Sequence, residues 1–242
     1  MTERRGRLQR LVHRLRATPL HPQWLLGTRK GIALEIFRHA RGHVLDIGCA
    51  DRWVQTILPH SCVYIGVDYL ATGAVIYQAS PDVFADASSL PIADDAVDTV
   101  VMLEVLEHVL LPRAALLEVA RVLRSGGKLL LSIPFLYPVH DAPHDYQRFT
   151  IHGLARELEA AGLRIEKISP SLGAAETAGL LASLALGGMA TQAMKQRSPG
   201  IVLVPLLAAA IPVVNLLAWL GERLLPPWDA LTSGYEVLAS KP

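Results

Sequence analysis

Short apolar runs alternate along this chain with stretches in which apolar residues recur at helical spacing. His43-Val-Leu-Asp-Ile-Gly48, Val63-Tyr-Ile-Gly-Val-Asp68, Asp82-Val-Phe-Ala-Asp86, Val97-Asp-Thr-Val-Val-Met-Leu-Glu104 and Lys128-Leu-Leu-Leu-Ser-Ile-Pro134 are the runs. Apolar positions on both faces predict buried strands rather than half-exposed ones. Between them a helix is predicted from Leu25 to His39. A second opens at Pro112, which fits a first helical turn, buries Ala115, Leu116, Val119, Val122 and Leu123, and is ended by Gly126-Gly127. Thr150 caps a third, closing near Gly162. Strands alternating with helices predict an α/β fold with a parallel sheet covered on both faces, whose ligands bind beyond the carboxyl ends of the strands.

The pattern changes after Ile165. Thr177–Met194 is an uncharged stretch of 18 residues and Ser198–Gly221 one of 24, joined by a turn carrying Lys195 and Arg197. Two apolar helices are predicted, the second kinked by Pro205 and Pro212. Twenty or so apolar residues can cross a bilayer, but crossing would put Lys195 and Arg197 outside, against the positive-inside tendency. A shallow interfacial hairpin is the expectation, with packing on protein, including a homodimer partner, as the alternative. Gly234–Pro242 then has strand character. The predicted organisation is a basic segment over 1–24, a core over 25–170, an apolar insertion over 171–228 and a closing strand over 229–242.

Composition supports a partner for that apolar surface: of 242 residues, 51% are hydrophobic and 19% charged, with mean hydropathy +0.33. The net charge of +1 conceals six arginines against one glutamate in residues 1–16. Leu8, Leu11, Val12 and Leu15 lie at helical spacing among these arginines, as in a helix that suits anionic lipid. A uniformly basic nucleic-acid binder is excluded. Cys49 and Cys62 form no CxxC pair and no secretory signal pattern is visible, so a reducing, cytoplasmic location is expected, peripheral on the inner face of the membrane.

Candidate chemistry begins at Gly48, where a glycine lets the backbone approach a ligand closely. Asp68, at the end of the second run, is placed to accept both hydroxyls of a ribose. The dehydrogenase pattern G-x-G-x-x-G is not met, because the turn reads Gly48-Cys-Ala-Asp-Arg-Trp53. Val44-Leu-Asp-Ile-Gly-Cys49, Gly66-Val-Asp68, Ala85-Asp-Ala87 with Leu90-Pro91, Leu103-Glu-Val-Leu-Glu-His108 and Leu123-Arg-Ser-Gly-Gly-Lys128 together resemble the class I S-adenosylmethionine-dependent methyltransferases, and more narrowly the group that includes the ubiquinone and menaquinone enzymes. The resemblance implies a Rossmann-like, seven-stranded sheet whose antiparallel seventh strand is Tyr235–Lys241. It also implies S-adenosylmethionine as cofactor, with Asp46, Gly48 and Ala50 shaping the methionine pocket, Asp68 on the ribose, Asp86 and Ala87 bordering the adenine, and Glu104 beside the sulfonium. Ala50 and Arg52 stand where relatives often carry glycine.

The densest polar cluster follows the fifth strand, from Pro134 to Thr150. A histidine suits removal of a hydroxyl proton at neutral pH, and an aspartate can orient it; His140 or His144 with Asp145 is the expected catalytic set. Arg148 can grip a carboxylate or phosphate, and Tyr146 and His108 are expected to line the acceptor site. His140 and His144 with Asp141 and Asp145 could supply metal ligands, but a proline-interrupted loop offers them no common face, and no metal is assigned. This segment resembles methyltransferases of bacterial surface-glycan and lipid-linked sugar pathways, implying O-methylation of a glycan, lipid-linked or other small acceptor. C-methylation of a quinone ring, or cofactor binding without catalysis at a membrane, are the alternatives.

Overall fold

Seven strands form one sheet in the order β3-β2-β1-β4-β5-β7-β6. They are β1 His43–Ile47, β2 Val63–Asp68, β3 Val83–Phe84, β4 Val97–Leu103, β5 Leu123–Pro134, β6 Arg164–Pro170 and β7 Gly234–Ser240. The computed structural model describes residues 15–27, 30–77 and 79–242. The basic helix expected over Arg4–Arg16 thus lies outside the described residues, apart from its last two positions. β1 through β5 pair in parallel, whereas β7 runs antiparallel between β5 and β6. This is the Rossmann-like methyltransferase sheet that the motifs imply.

The chain divides into two compact units: Lys30–Ser171 with Gly234–Pro242, and Leu172–Ser233 with the described residues before Lys30. In the first, successive strand residues face opposite layers. Leu45, Val100, Met102, Leu129 and Leu131 pack with Leu116 and Val119 of the helix Pro112–Val122 and with Leu154 and Leu158 of the helix Ile151–Ala160. Val44, Val101 and Leu130 point the other way, onto Ile32 and Ile36 of the helix Lys30–His39 and Val54 of the short helix Trp53–Ile57. Burying each such side chain stabilises the fold by about 1.5–3 kcal/mol. These helices are α1 (Lys30–His39), α2 (Trp53–Ile57), α3 (Pro112–Val122) and α4 (Ile151–Ala160).

Three differences from the sequence reading have local causes. The predicted 25–39 helix is two pieces: a single turn over Trp24–Leu26 stops at Gly27, whose φ of +66° breaks the helix, and α1 begins at Lys30. α3 ends at Val122, before Gly126-Gly127, because Leu123 already pairs with Val97 of β4. The glycines instead make an irregularity inside β5, where Gly126 has φ +74° and donates its amide to Lys241 O. β6 was hidden by its sequence, Arg-Ile-Glu-Lys-Ile-Ser-Pro: as an edge strand it is mostly exposed and carries charge.

The second unit contains α5 (Ala174–Lys195) and α6 (Val204–Leu224), an antiparallel hairpin. Gly179 lets the helices touch, since a Cβ there would lie 2.3 Å from Ala218 Cβ. Buried Asn215 accepts from Ser183 Oγ at 2.8 Å and donates to Pro19 O and His21 O. Glu222 accepts from the amides of Ala175 and Glu176, satisfying the start of α5. α6 runs through Pro212 without interruption. By length and composition, the helical stretch Pro199–Leu224 is long and apolar enough to cross a membrane, and Val202, Leu206, Leu217 and Leu224 stand exposed on it.

Candidate active site

The sheet order reverses between β1 and β4, so the crevice beyond their carboxyl ends is where this class of fold binds ligands. β1 delivers Gly48 into that crevice with φ +75°; a Cβ there would lie 2.2 Å from Val105 Cγ2. Ala50 and Arg52 follow, also with positive φ, a conformation that costs little only for glycine. The turn is held nonetheless. Ala50 N donates to Asp68 Oδ2 at 2.8 Å, and the Arg52 guanidinium pairs both nitrogens with Asp82 at 3.1 Å and lies over the Tyr64 ring. Arg52 replaces the flexibility of a glycine with an anchor, and this role was not visible in the sequence.

Asp68 ends β2 and is 5% exposed. Its other oxygen accepts from Tyr69 N at 2.8 Å, so two of a carboxylate's roughly four acceptor positions remain open. Burial raises its pKa, while the two amide bonds oppose that rise. The sequence reading also missed Gly73 in the π-helical turn Leu70–Tyr77: a Cβ there would lie 2.5 Å from Asp68 Oδ1. Asp46 lies behind the turn, buried, and accepts from the Tyr64 hydroxyl at 2.7 Å. Burial pushes its carboxyl up to about 7 despite that bond, and pushes the Cys49 thiol up to about 12. Ala87 is buried, whereas Asp86 is exposed and accepts from the amide and hydroxyl of Ser88.

On the other side of the crevice, Glu104 follows β4 with φ +54° and accepts from Ser132 Oγ at 2.7 Å. The single turn Leu106–His108 then brings in Glu107 and His108. The loop after β5 folds over this turn: Gln147 donates to Leu106 O and Val109 O, and Tyr146 N donates to Glu107 O. In that loop Asp145, with its side chain 1% exposed, pairs with the Arg148 guanidinium through both oxygens and accepts from His140 N at 2.9 Å. Arg148 holds the Asp145 carboxyl down to about 2. His140 Nδ1 lies 3.3 Å from Asp145 Oδ2, leaving Nε2 turned toward Glu107.

His144, Tyr146 and Arg148 separate from His140 in role. His144 is bonded to the Tyr146 hydroxyl at 3.2 Å through its ring, and its carbonyl accepts from His108 Nδ1 at 2.7 Å. Arg148 is occupied by Asp145 and by carbonyls of its own loop. Tyr77 reaches Asp141 by a hydrogen bond. Glu107 was not singled out in the sequence, although a carboxylate inside the apolar stretch Val105–Val109 was a signal.

The Methyltransferase domain family matches residues 45–131, which run from within β1 through the glycine turn, β2, β3 and β4 into β5. A protein of Mycolicibacterium smegmatis named "Probable S-adenosylmethionine-dependent methyltransferase" is 32% identical over 173 residues, 66% of either chain. Residues 45–131 thus carry a methyltransferase domain, and the chain is similar to S-adenosylmethionine-dependent methyltransferases. A demethylmenaquinone methyltransferase of Mycolicibacterium paratuberculosis is 45% identical over 65 residues, 27% of each chain. The match therefore spans just under two thirds of the first curated relative's length and about a quarter of the second's. A methyltransferase structure from Archaeoglobus fulgidus superposes with TM-score 0.54 at 16% identity, covering 90% of this chain and 97% of that one, a likeness of fold alone.

S-adenosylmethionine is the cofactor of this methyltransferase family, and the crevice fits it. Asp68 keeps acceptor positions for a ribose diol, and the backbone at Gly48 is bare where a cofactor would approach. Ala50 does not disable the turn, because its amide is what fixes Asp68.

Proposed function

We propose that this methyltransferase methylates a hydroxyl oxygen of a glycan or lipid-linked acceptor at a membrane surface. The observation that carries the reading is the orientation of His140 by Asp145, itself locked by Arg148, at the carboxyl end of β5. A sulfonium methyl group is a strong electrophile, so the protein's remaining tasks are to position the acceptor and take its proton. His140 Nδ1 is bonded to Pro138 O at 3.3 Å and lies 3.3 Å from Asp145 Oδ2, which leaves Nε2 as the atom that receives the hydroxyl proton. Glu104 and the turn at Gly48 border the cofactor side, while His108 and Tyr146 lie on the acceptor side. The exposed apolar face of α6 supports delivery of the acceptor from a lipid surface.

A quinone ring is the second reading, favoured by the local likeness to a demethylmenaquinone methyltransferase. The two readings place the methyl group on different atoms. Purified protein incubated with membrane extract and methyl-labelled S-adenosylmethionine should yield S-adenosylhomocysteine and a product whose methyl carbon has an oxygen-linked NMR shift. A carbon-linked methyl group would sink the first reading. His140→Ala should lower turnover about 10²–10⁴-fold, the usual contribution of a general base, whereas His144→Ala should keep most of it. Equal loss in both variants would remove His140 from its assigned role.

A further inference from the structure

Glu107 presents a problem that the methyl-transfer reading leaves unsolved. The residue is 0% exposed, and neither carboxylate oxygen has a hydrogen-bond partner among the described residues. Burying a carboxylate without a hydrogen-bond partner is costly, and the neighbouring Glu104 carboxylate adds repulsion. What faces Glu107 is two imidazoles: its Oε1 lies 3.6 Å from His108 Nε2 and 3.8 Å from His140 Nε2. The three ligand atoms all lie within 4.8 Å of one another.

We propose that Glu107, His108 and His140 hold a divalent transition-metal ion that receives the acceptor oxygen. Each imidazole is already committed at its other nitrogen. His108 Nδ1 is tied to His144 O at 2.7 Å and His140 Nδ1 faces Asp145 Oδ2 at 3.3 Å, which directs both Nε2 atoms at Glu107. Outer carbonyl and carboxylate partners of this kind orient metal-binding histidines. Ligands on one tetrahedral ion with bonds of about 2.0–2.1 Å lie about 3.4 Å apart, within about half an ångström of the two distances from Glu107. Two nitrogens and one oxygen suit zinc, manganese or iron(II) better than calcium or magnesium, and three protein ligands leave positions open for another oxygen.

The site comes from two segments of chain, the turn after β4 and the loop after β5, so the loop alone did not reveal it. Its use in catalysis rests on the O-methylation reading: an acceptor hydroxyl bound to the ion loses its proton to solvent more readily, and the resulting oxygen is the nucleophile. With the ion bound, His140 Nε2 is a ligand and is no longer the proton acceptor, so the ion replaces the histidine base of the metal-free reading rather than adding to it.

The test uses the full-length protein, stripped with a chelator and titrated with Co²⁺ by calorimetry and visible absorption. One Co²⁺ per chain is expected, displaced by Zn²⁺, with visible bands of an ion in nitrogen and oxygen coordination. His108→Gln and His140→Gln should each weaken Co²⁺ binding at least tenfold while keeping wild-type affinity for S-adenosylhomocysteine. If one histidine variant loses its fold, the other and Glu107→Gln carry the comparison. Absence of saturable Co²⁺ binding overturns the site, as do variants that bind it like the wild type. Stripped protein that transfers the methyl group as fast as the Co²⁺-loaded protein overturns its catalytic use. A carbon-methylated product from protein that still binds one Co²⁺ per chain would sink the O-methylation reading instead.

Discussion

Asp68 illustrates how one side chain can serve two purposes in this crevice. It fastens the glycine turn through Ala50 N and still has acceptor positions free. Asp68→Ala should therefore weaken S-adenosylhomocysteine binding by about 1–3 kcal/mol, the worth of charge-assisted hydrogen bonds, as read by calorimetry. Unchanged affinity would remove the ribose role. Asp46 makes a prediction about pH. The unfolded chain ionises such a carboxyl near about 4, the folded chain only at about 7. Between those values the folded state holds the extra proton, so this group's contribution to stability falls as pH rises and levels off above about 7. In urea unfolding of the apo protein, Asp46→Asn should gain on the wild type between pH 4 and pH 7 and hold that gain above it; a constant difference would show that Asp46 titrates normally. Of the candidate site residues, Asp46, Gly48 and Asp68 could be singled out in the sequence because each lies at or next to the end of a strand in a motif of fixed order. Arg52, Gly73 and Glu107 were not, since their roles depend on Asp82, Asp68 and two histidines that the chain brings close only by folding.

Among the elements, the buried parallel strands were the easiest to read, because residues covered on both faces leave an unbroken apolar run. β6 and the π-helical turn after β2 lacked that signature. β6 is a charged edge, and Leu70–Tyr77 shows no clear polar face, being apolar nearly throughout. The α5–α6 hairpin was foreseen from composition, but what joins its helices was not: the fit of Gly179 against Ala218 and the buried Asn215. Gly179→Leu should force the two helices apart. A cost of about 1–3 kcal/mol is expected from overpacking, measurable as faster limited proteolysis within 172–233. Unaltered cleavage would mean that the helices do not rely on this contact.

For the molecule as a whole, Pro199–Leu224 leaves apolar side chains exposed, and the proposed delivery of the acceptor from a lipid surface makes a prediction about it. Flotation with vesicles containing anionic lipid should carry the protein upward, and deletion of Gly173–Leu225 with a short linker should leave it at the bottom. If wild type stays down and sediments as a dimer, a second copy covers those side chains. The order of the sheet also bears on how the protein is made. β7 lies between β5 and β6 but is translated after both, and after all of 171–233. Until it emerges, β5 and β6 present unpaired backbone on facing edges, a template for association with other chains. Closing that gap joins segments far apart in sequence, which slows folding. During synthesis the nascent chain therefore carries an open sheet and an apolar hairpin together, and early contact of the hairpin with lipid would hold neighbouring chains apart until the missing strand arrives.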